Sequence, residues 1–225
     1  MNVDLIRNII FDLGGVLLNI NPEITGKALA DLGVKDMRIV NDQLLADRVY
    51  YRFDSGQITP AEFREEIRKH CGIPLIDAQV DTAWNALLLD FPAERVKLLH
   101  DLKANYKVYL LSNTNSIHFE SYTESFRRVY GEEMTELFHR LFLSYELGCH
   151  KPDKIIYEKV ISLAQLNPKE TLFIDDSGIN LPEAVNTGLV ALHLKAGMEV
   201  TAFFKNGKLR PEAEFLYSDT NANKG

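Results

Sequence analysis

The chain has 225 residues, of which 46% are hydrophobic and 25% are charged, and its formal net charge is -7. This composition is typical of a globular protein, and the acidic balance argues against a nucleic-acid-binding surface, which usually carries a basic patch. The length predicts one large domain, or a core with a smaller insert.

Targeting and redox signals favour a cytoplasmic protein. No apolar run is long enough to span a membrane, and we recognise no basic and then apolar leader at Met1. The two cysteines, Cys71 and Cys149, lie far apart in the sequence and do not predict a disulfide framework.

The first predicted element is a buried strand that ends at an acidic residue. Ile9–Phe11 is continuously apolar, as in a strand covered on both faces, and Asp12 follows it. Gly14 and Gly15 allow a sharp turn and can present backbone N–H groups to a ligand. This stretch alone fits a ligand-binding strand end and an ordinary turn equally well.

A long helical region follows. Residues 36–51 have apolar positions at helical spacing, and Thr59–Glu62 reads as a capping box that opens a second helix. Because residues 24–91 contain no convincing strand, we predict an all-helical cap domain at residues 19–91. Residues 19–22 and 90–92 are its expected connections.

From Pro92 onwards, predicted helices and strands alternate, which is typical of a parallel sheet with right-handed crossovers. The predicted strands are 108–111, 141–143, 171–174 and 189–194. The pattern of residues 118–133 is harder to interpret. We therefore predict a catalytic core made of residues 1–18 and 92–217, followed by a polar, flexible tail at residues 218–225.

Polar residues follow several of these strands. Asp12, Ser112-Asn113 and Asp175-Asp176 each stand at a strand end, and Lys151 stands at a helix start. Alone, each has an ordinary explanation as a turn, a helix cap or a surface charge. The carboxyl ends of parallel strands share one edge of the sheet, so their joint placement favours a functional site.

These stretches resemble the motifs of the haloacid dehalogenase-like hydrolase superfamily, which consists mainly of phosphatases. The matching positions, in the family's order, are Asp12-Leu13-Gly14-Gly15-Val16, Ser112, Lys151 before Pro152, and Asp175-Asp176 followed by Asn180. The helical insert resembles the family's C1 cap, and Leu-Ser-Asn-Thr-Asn is similar to bacterial α-glucose-1-phosphate phosphatases. The resemblance implies an α/β fold: a Rossmann-like core with a parallel sheet between helices, and an inserted all-helical cap.

The resemblance also implies roles for individual residues. Asp12 would attack phosphorus and form an aspartyl-phosphate, and Mg²⁺ would offset the repulsion between carboxylate and phosphate. Asp12, the backbone carbonyl of Gly14 and Asp176 would hold the metal, with Asp175 acting directly or through water. The phosphoryl oxygens would be held by the Ser112 hydroxyl, the Asn113 backbone N–H, the Lys151 ammonium and the N–H groups of Leu13 and Gly14.

One position departs from the family. Most of its phosphatases have a second aspartate where this chain has Gly14, and that aspartate protonates the leaving oxygen. General acid–base catalysis is typically worth about 10²–10⁴ in rate, so its loss weakens catalysis without abolishing it. We therefore expect a preference for anomeric, acyl or aryl phosphates, whose leaving oxygens need protonation less than an alkoxide does.

The sequence thus predicts a Mg²⁺-dependent phosphomonoesterase. Its partner would be a small-molecule phosphate ester, with a sugar phosphate as one candidate, and neither a nucleic acid nor a membrane. One alternative is a catalytically weak, phosphate-binding regulatory module. A less favoured alternative is a 2-haloacid dehalogenase, because those relatives use no metal and the acidic pair Asp175-Asp176 argues for one.

Overall fold

A computed structural model describes residues 3–211 of the chain. Within this range, five parallel strands form one sheet in the order β3-β2-β1-β4-β5, and a two-stranded antiparallel hairpin, β6-β7, lies near the end. The strands are β1 Asn8–Phe11, β2 Lys107–Ser112, β3 Arg140–Leu143, β4 Thr171–Asp175, β5 Val190–His193, β6 Phe204–Lys205 and β7 Lys208–Leu209. The predicted parallel sheet is confirmed.

Helices cover the sheet and form the insert between β1 and β2. They are α1 Glu23–Asp31, α2 Met37–Ala46, α3 Val49–Asp54, α4 Pro60–Cys71, α5 Asp77–Asn85, α6 Ala93–Leu102, α7 Ser116–Tyr130, α8 Ser144–Leu147, α9 Lys154–Leu163 and α10 Leu181–Asn186. None of these helices, within the described residues, combines the length and the apolar character needed to cross a bilayer.

The continuous apolar run of β1 is explained by burial on both faces of the sheet. Ile9 and Phe11 point into one hydrophobic cluster, and Ile10 points into a second cluster on the opposite face. Because successive side chains of a strand alternate between faces, a two-sided core requires apolar residues at every position. This burial fixes where β1 ends, and it therefore places Asp12 at the edge of the sheet.

The insert has a hydrophobic core of its own, which includes Leu44, Phe53 and Phe63. The predicted capping box is present at the start of α4, and Gly72 ends that helix in the left-handed conformation with φ of 67°. The all-helical character of the insert is confirmed.

The two connections to the insert pair with each other. The Asn19 N–H donates to the Asp90 carbonyl at 2.9 Å, and the Leu89 N–H donates to the Asn19 carbonyl at 3.0 Å. We propose this pair as the boundary between a core of residues 1–18 and 92–217 and a cap of residues 19–91. Residues 212–217 and the predicted tail at 218–225 lie outside the described range.

The structure differs from the predicted elements in three places. Residues 36–51 form two helices, because Arg48 has a left-handed backbone with φ of 53° and interrupts the helical hydrogen bonding. The ambiguous segment 118–133 is largely α7, whose Ile117 packs in the insert core while Phe126 packs in the sheet core. A helix that faces two cores lacks a single apolar stripe. The hairpin strands β6 and β7 have only two residues each, which is too short to give an apolar and polar alternation in the sequence.

α7 also joins the insert to the sheet domain through His118. The His118 ring stacks on Trp84 of α5, with ring centroids 4.7 Å apart, and its Nε2 lies 3.1 Å from the Trp84 carbonyl. In the neutral ring, the tautomer that carries its single proton on Nε2 would donate this hydrogen bond. Burial lowers the pKa of His118 to about 4, so the ring stays neutral near pH 7.

This burial predicts a pH-dependent stability. Between the unfolded pKa of about 6.5 and the folded pKa of about 4, the unfolded chain binds a proton that the folded chain excludes, so stability falls as the pH falls. From pH 7 to pH 5, wild type should lose roughly 2 kcal/mol more unfolding free energy than His118→Gln. Urea titrations at both pH values measure this difference, and equal losses would contradict it.

Candidate active site

The ends of β1 and β4 bring three predicted acidic residues together. Phe11 of β1 is the register partner of Ile174 of β4, so Asp12 and Asp175 occupy equivalent positions at the ends of these two adjacent strands. One carboxylate oxygen from each of Asp12, Asp175 and Asp176 lies within 4.8 Å of the other two. This is the edge of the sheet at which parallel α/β proteins bind ligands.

Lys151 lies between two of these carboxylates. Its Nζ is 2.8 Å from Asp12 Oδ1 and 2.7 Å from Asp175 Oδ2, and the lysine side chain is 1% exposed. The two carboxylates raise the pKa of Lys151 against the effect of burial, so the ammonium stays charged. Burial, together with the nearby Asp175 charge, raises the pKa of Asp12 to about 7, although Lys151 opposes this shift.

The two adjacent aspartates have different surroundings. Asp175 is fully buried, and besides Lys151 it accepts hydrogen bonds from Asn180 Nδ2 at 3.0 Å to each oxygen and from the Ser177 N–H at 2.8 Å. The Asp176 side chain receives no hydrogen bond from any other described residue and is exposed. The Asp176 carboxylate is therefore the freer of the two to meet a metal ion.

Two glycines shape the turn after Asp12. A Cβ on Gly15, whose φ is 74°, would lie 2.2 Å from Asp176 Oδ2, so a side chain there would strain the backbone and displace that carboxylate. Gly14 is different, because its backbone lies outside the left-handed region and a Cβ would meet Ile20 Cδ1 at 2.9 Å. An apolar side chain thus lies beside the position where most family phosphatases have their second aspartate.

The backbone around Asp12 is partly engaged. The Leu13 N–H donates to Asp12 Oδ1 at 2.7 Å, so this predicted phosphate donor is directed at the carboxylate itself. Within the described residues, no group donates to Asp12 Oδ2, and no hydrogen bond occupies the N–H or carbonyl of Gly14.

The loop after β2 is tied to the loop that carries Lys151. Asn113 Nδ2 donates to the Lys151 carbonyl at 2.9 Å, and the Lys151 N–H donates to Asn113 Oδ1 at 2.8 Å. The Asn113 side chain therefore positions Lys151, and its backbone N–H is left for another acceptor. Ser112 is buried beside it, and among the described residues its hydroxyl makes only a long contact of 3.5 Å to the Asn113 carbonyl.

Two asparagines at this edge make contacts that were not predicted from the sequence. Asn180 holds both oxygens of Asp175, and Asn115 holds Asp54 of α3 at 2.8 Å. The short spacing between Asp175 and Asn180 was a usable signal for the first contact. The second contact joins residues 61 positions apart, and no local pattern predicts it.

Comparisons with known proteins agree with this geometry. The family model described as haloacid dehalogenase-like hydrolase matches residues 6–188. A D-ribitol-5-phosphate phosphatase of Bacteroides thetaiotaomicron is 29% identical over 79% of this chain and 86% of its own length. A sesquiterpene phosphatase of Aspergillus oryzae is 30% identical over 82% of this chain and 88% of its own.

A solved structure also resembles this one over most of the chain. It is a haloacid dehalogenase family enzyme of Bacteroides thetaiotaomicron in complex with magnesium and inorganic phosphate. The two chains are 38% identical and superpose with a TM-score of 0.83, covering 89% of this chain and all of that one. The order of the motifs, the parallel sheet with its helical insert and the family match lead to one conclusion: the chain belongs to the haloacid dehalogenase-like hydrolase family.

Proposed function

We propose that this hydrolase is a Mg²⁺-dependent phosphomonoesterase that uses Asp12 as its nucleophile. The observation that carries the proposal is the position of Asp12, which pairs with the buried Lys151 ammonium and lies close to both carboxylates of the acidic pair Asp175-Asp176. The phosphatase relatives and the related structure with magnesium and phosphate support the same reaction class.

The charges at the strand ends suit a divalent cation. Three carboxylates lie together and the one Lys151 ammonium does not balance them. Mg²⁺ prefers oxygen ligands, so Asp12, the Gly14 carbonyl and Asp176 would hold it, with Asp175 acting through water or through its neighbours. When bound, the ion reduces the repulsion between Asp12 and an incoming phosphate.

The protein groups then divide the reaction between them. An Asp12 oxygen attacks phosphorus, the ester oxygen leaves with its electron pair, and the phosphoryl group is held as an acyl phosphate. Lys151 Nζ, already 2.8 Å from Asp12, stabilises the charge on the phosphoryl oxygens together with the Ser112 hydroxyl and the Asn113 N–H. The departing alkoxide takes a proton from solvent. A water molecule then attacks the acyl phosphate and gives up a proton to solvent, which releases inorganic phosphate and regenerates Asp12.

The substrate we propose is a small phosphorylated metabolite, such as a sugar or polyol phosphate. The relative named for D-ribitol 5-phosphate supports this class. D-ribitol 5-phosphate is an alkyl phosphate, whereas the sequence predicts a preference for anomeric, acyl and aryl phosphates. The leaving-group preference therefore has to be tested directly.

A regulatory, phosphate-binding module is the second candidate. Gly14 favours it, because the position offers no acid and Ile20 lies beside it. The complete set of Asp12, Lys151 and the acidic pair favours turnover. A metal-independent dehalogenase is less favoured, since that chemistry does not need the exposed Asp176 carboxylate next to Asp12.

The Asp12→Asn variant tests the nucleophile. We expect Mg²⁺-dependent release of phosphate from p-nitrophenyl phosphate and from a panel of sugar and polyol phosphates by the wild type, and a loss of at least about 10³-fold in kcat for the variant. Asp31→Asn, an exposed change at the end of α1, is the matched control. Turnover close to wild type by Asp12→Asn with unchanged circular dichroism would refute the assignment.

The adjacent aspartates should respond differently to substitution. Asp176→Asn should raise the Mg²⁺ concentration for half-maximal activity at least about tenfold and leave the unfolding midpoint close to wild type, because Asp176 is exposed. Asp175→Asn should lower the unfolding free energy by roughly 3 kcal/mol or more, because it weakens the buried pair with Lys151. An unaltered Mg²⁺ dependence in Asp176→Asn would exclude it as a ligand.

Gly14→Asp tests the missing acid. Because Ile20 occupies the adjoining space, the variant is best made with Ile20→Ala and compared with Ile20→Ala alone. An acid at position 14 helps poor leaving groups most, so the ratio of kcat/KM for an alkyl phosphate to that for an aryl phosphate should rise at least about tenfold. A constant ratio in an active, Mg²⁺-dependent double variant would show that Gly14 does not set leaving-group preference.

A further inference from the structure

Asp54 is an acidic residue of the insert that reaches the sheet domain. It ends α3, and its Oδ1 accepts a hydrogen bond from Asn115 Nδ2 at 2.8 Å. Asn115 lies two residues after Asn113, and its own Oδ1 caps α7 by accepting the His118 N–H at 3.0 Å. A carboxylate of the insert is therefore held against the loop whose Asn113 N–H we assign to phosphate binding.

The same helix contacts the loop on the other side of the site. The Tyr51 ring of α3 packs on the His150 ring, with centroids 4.2 Å apart, and the Tyr51 hydroxyl donates to Asp153 Oδ2 at 3.1 Å. His150 directly precedes Lys151. The end of α3 thus contacts both the loop that carries Asn113 and the loop that carries Lys151.

The turn after Asp54 fixes its position. A Cβ on Gly56 would lie 2.2 Å from the Tyr145 carbonyl oxygen, so the backbone at Gly56 packs directly against the backbone of α8. The Ser55 hydroxyl donates to the Tyr51 carbonyl at 2.6 Å and closes the end of the helix. These contacts restrict the movement of Asp54, as a recognition group requires.

The proposed reaction steps leave Asp54 unused, and its charge is only partly satisfied. Among the described residues, no lysine, arginine or histidine nitrogen lies within 4.0 Å of its carboxylate, and no donor reaches its Oδ2. Burial raises the pKa of Asp54 to about 6, while Asn115 and the nearby His150 oppose this shift. Near pH 7 the group is a carboxylate that can only accept hydrogen bonds.

We propose that Asp54 recognises the alcohol part of the substrate, with its Oδ2 accepting a hydrogen bond from a hydroxyl group of a polyol or sugar phosphate whose phosphate lies at Asp12. The inference rests on the proposed phosphatase function and adds its specificity residue. A hydroxyl donor would satisfy the carboxylate, whereas an apolar alcohol in the same place would bury the charge without a partner. Asp54 therefore selects hydroxylated alcohols over apolar ones.

The names of the two relatives describe alcohols of these two kinds. One acts on a polyol phosphate, which carries hydroxyl groups, and the other on a sesquiterpene phosphate, which is largely apolar. Two polar side chains lie near the Asp54 carboxylate: Asn115, which donates to its Oδ1, and His150. Such a lining suits a hydroxylated chain and is unfavourable for a hydrocarbon chain, which cannot replace the lost hydration of the polar groups.

The test compares two primary alkyl phosphates with similar leaving oxygens, so that chemistry is held constant and only the rest of the alcohol changes. Ribitol 5-phosphate carries hydroxyls and hexyl phosphate does not. In Asp54→Ala the ratio of their kcat/KM values should fall about 10–100-fold from that of wild type, mainly through a higher KM for ribitol 5-phosphate. Asp54→Asn keeps an acceptor for Asn115, so it should fold and show a smaller fall.

Asp81→Asn is the matched control. Asp81 is also a carboxylate of the insert, but both its oxygens pair with Arg64 at 2.8 Å within the insert, so the ratio should stay at its wild-type value. Should the alanine variant fail to fold, the asparagine variant decides.

The outcomes separate this inference from the proposed function. A wild-type ratio in the Asp54 variants, or no wild-type turnover of ribitol 5-phosphate, overturns the role of Asp54 while hydrolysis of p-nitrophenyl phosphate upholds the phosphatase. Equal losses on ribitol 5-phosphate, hexyl phosphate and p-nitrophenyl phosphate also overturn it, because they show a general effect on catalysis or folding. No Mg²⁺-dependent turnover of any ester overturns both.

Discussion

The ion pairs of Lys151 with Asp12 and Asp175 are the interaction on which the site depends. A fully buried ammonium is stable only when carboxylates replace its lost hydration, and here each partner comes from the end of a different strand. The register of β1 and β4 sets the distance between those partners. Removing either carboxylate would leave the buried ammonium with one charged partner in place of two, so a change in the geometry of the site also changes the stability of this edge of the sheet.

This arrangement explains why two neighbouring aspartates serve different ends. Asp175 uses its oxygens on Lys151, Asn180 and the backbone, and so it holds the ammonium in place. Among the described residues, the Asp176 carboxylate shares none of those hydrogen bonds, and Gly15 leaves the space that it needs. One ammonium against three carboxylates leaves an excess of negative charge. A phosphate could not approach that excess without a cation, which is the physical ground for placing a metal there.

The parts that could be predicted from the sequence are those governed by local pattern. The apolar run Ile9–Phe11 predicted a two-sided strand, and the polar residues that follow the strands indicated the family; both predictions are confirmed. α7 escaped prediction because it packs against two cores at once. The contact between Asp54 and Asn115 escaped it because it depends on how the insert docks on the sheet domain, and a sequence carries no periodic signal for that.

The residues proposed for the chemistry and the residue proposed for substrate choice lie in different parts of the fold. Within the described residues, the hydrogen bonds and ion pairs to Asp12, Asp175 and the Lys151 ammonium come from the sheet domain alone. The insert and its first connection instead contribute Ile20 beside Gly14 and Asp54 beside Asn115. On the role proposed for Asp54, changes in the insert would alter which alcohol is accepted without disturbing the buried ion pairs. A family built in this way can diversify its substrates while it retains one reaction.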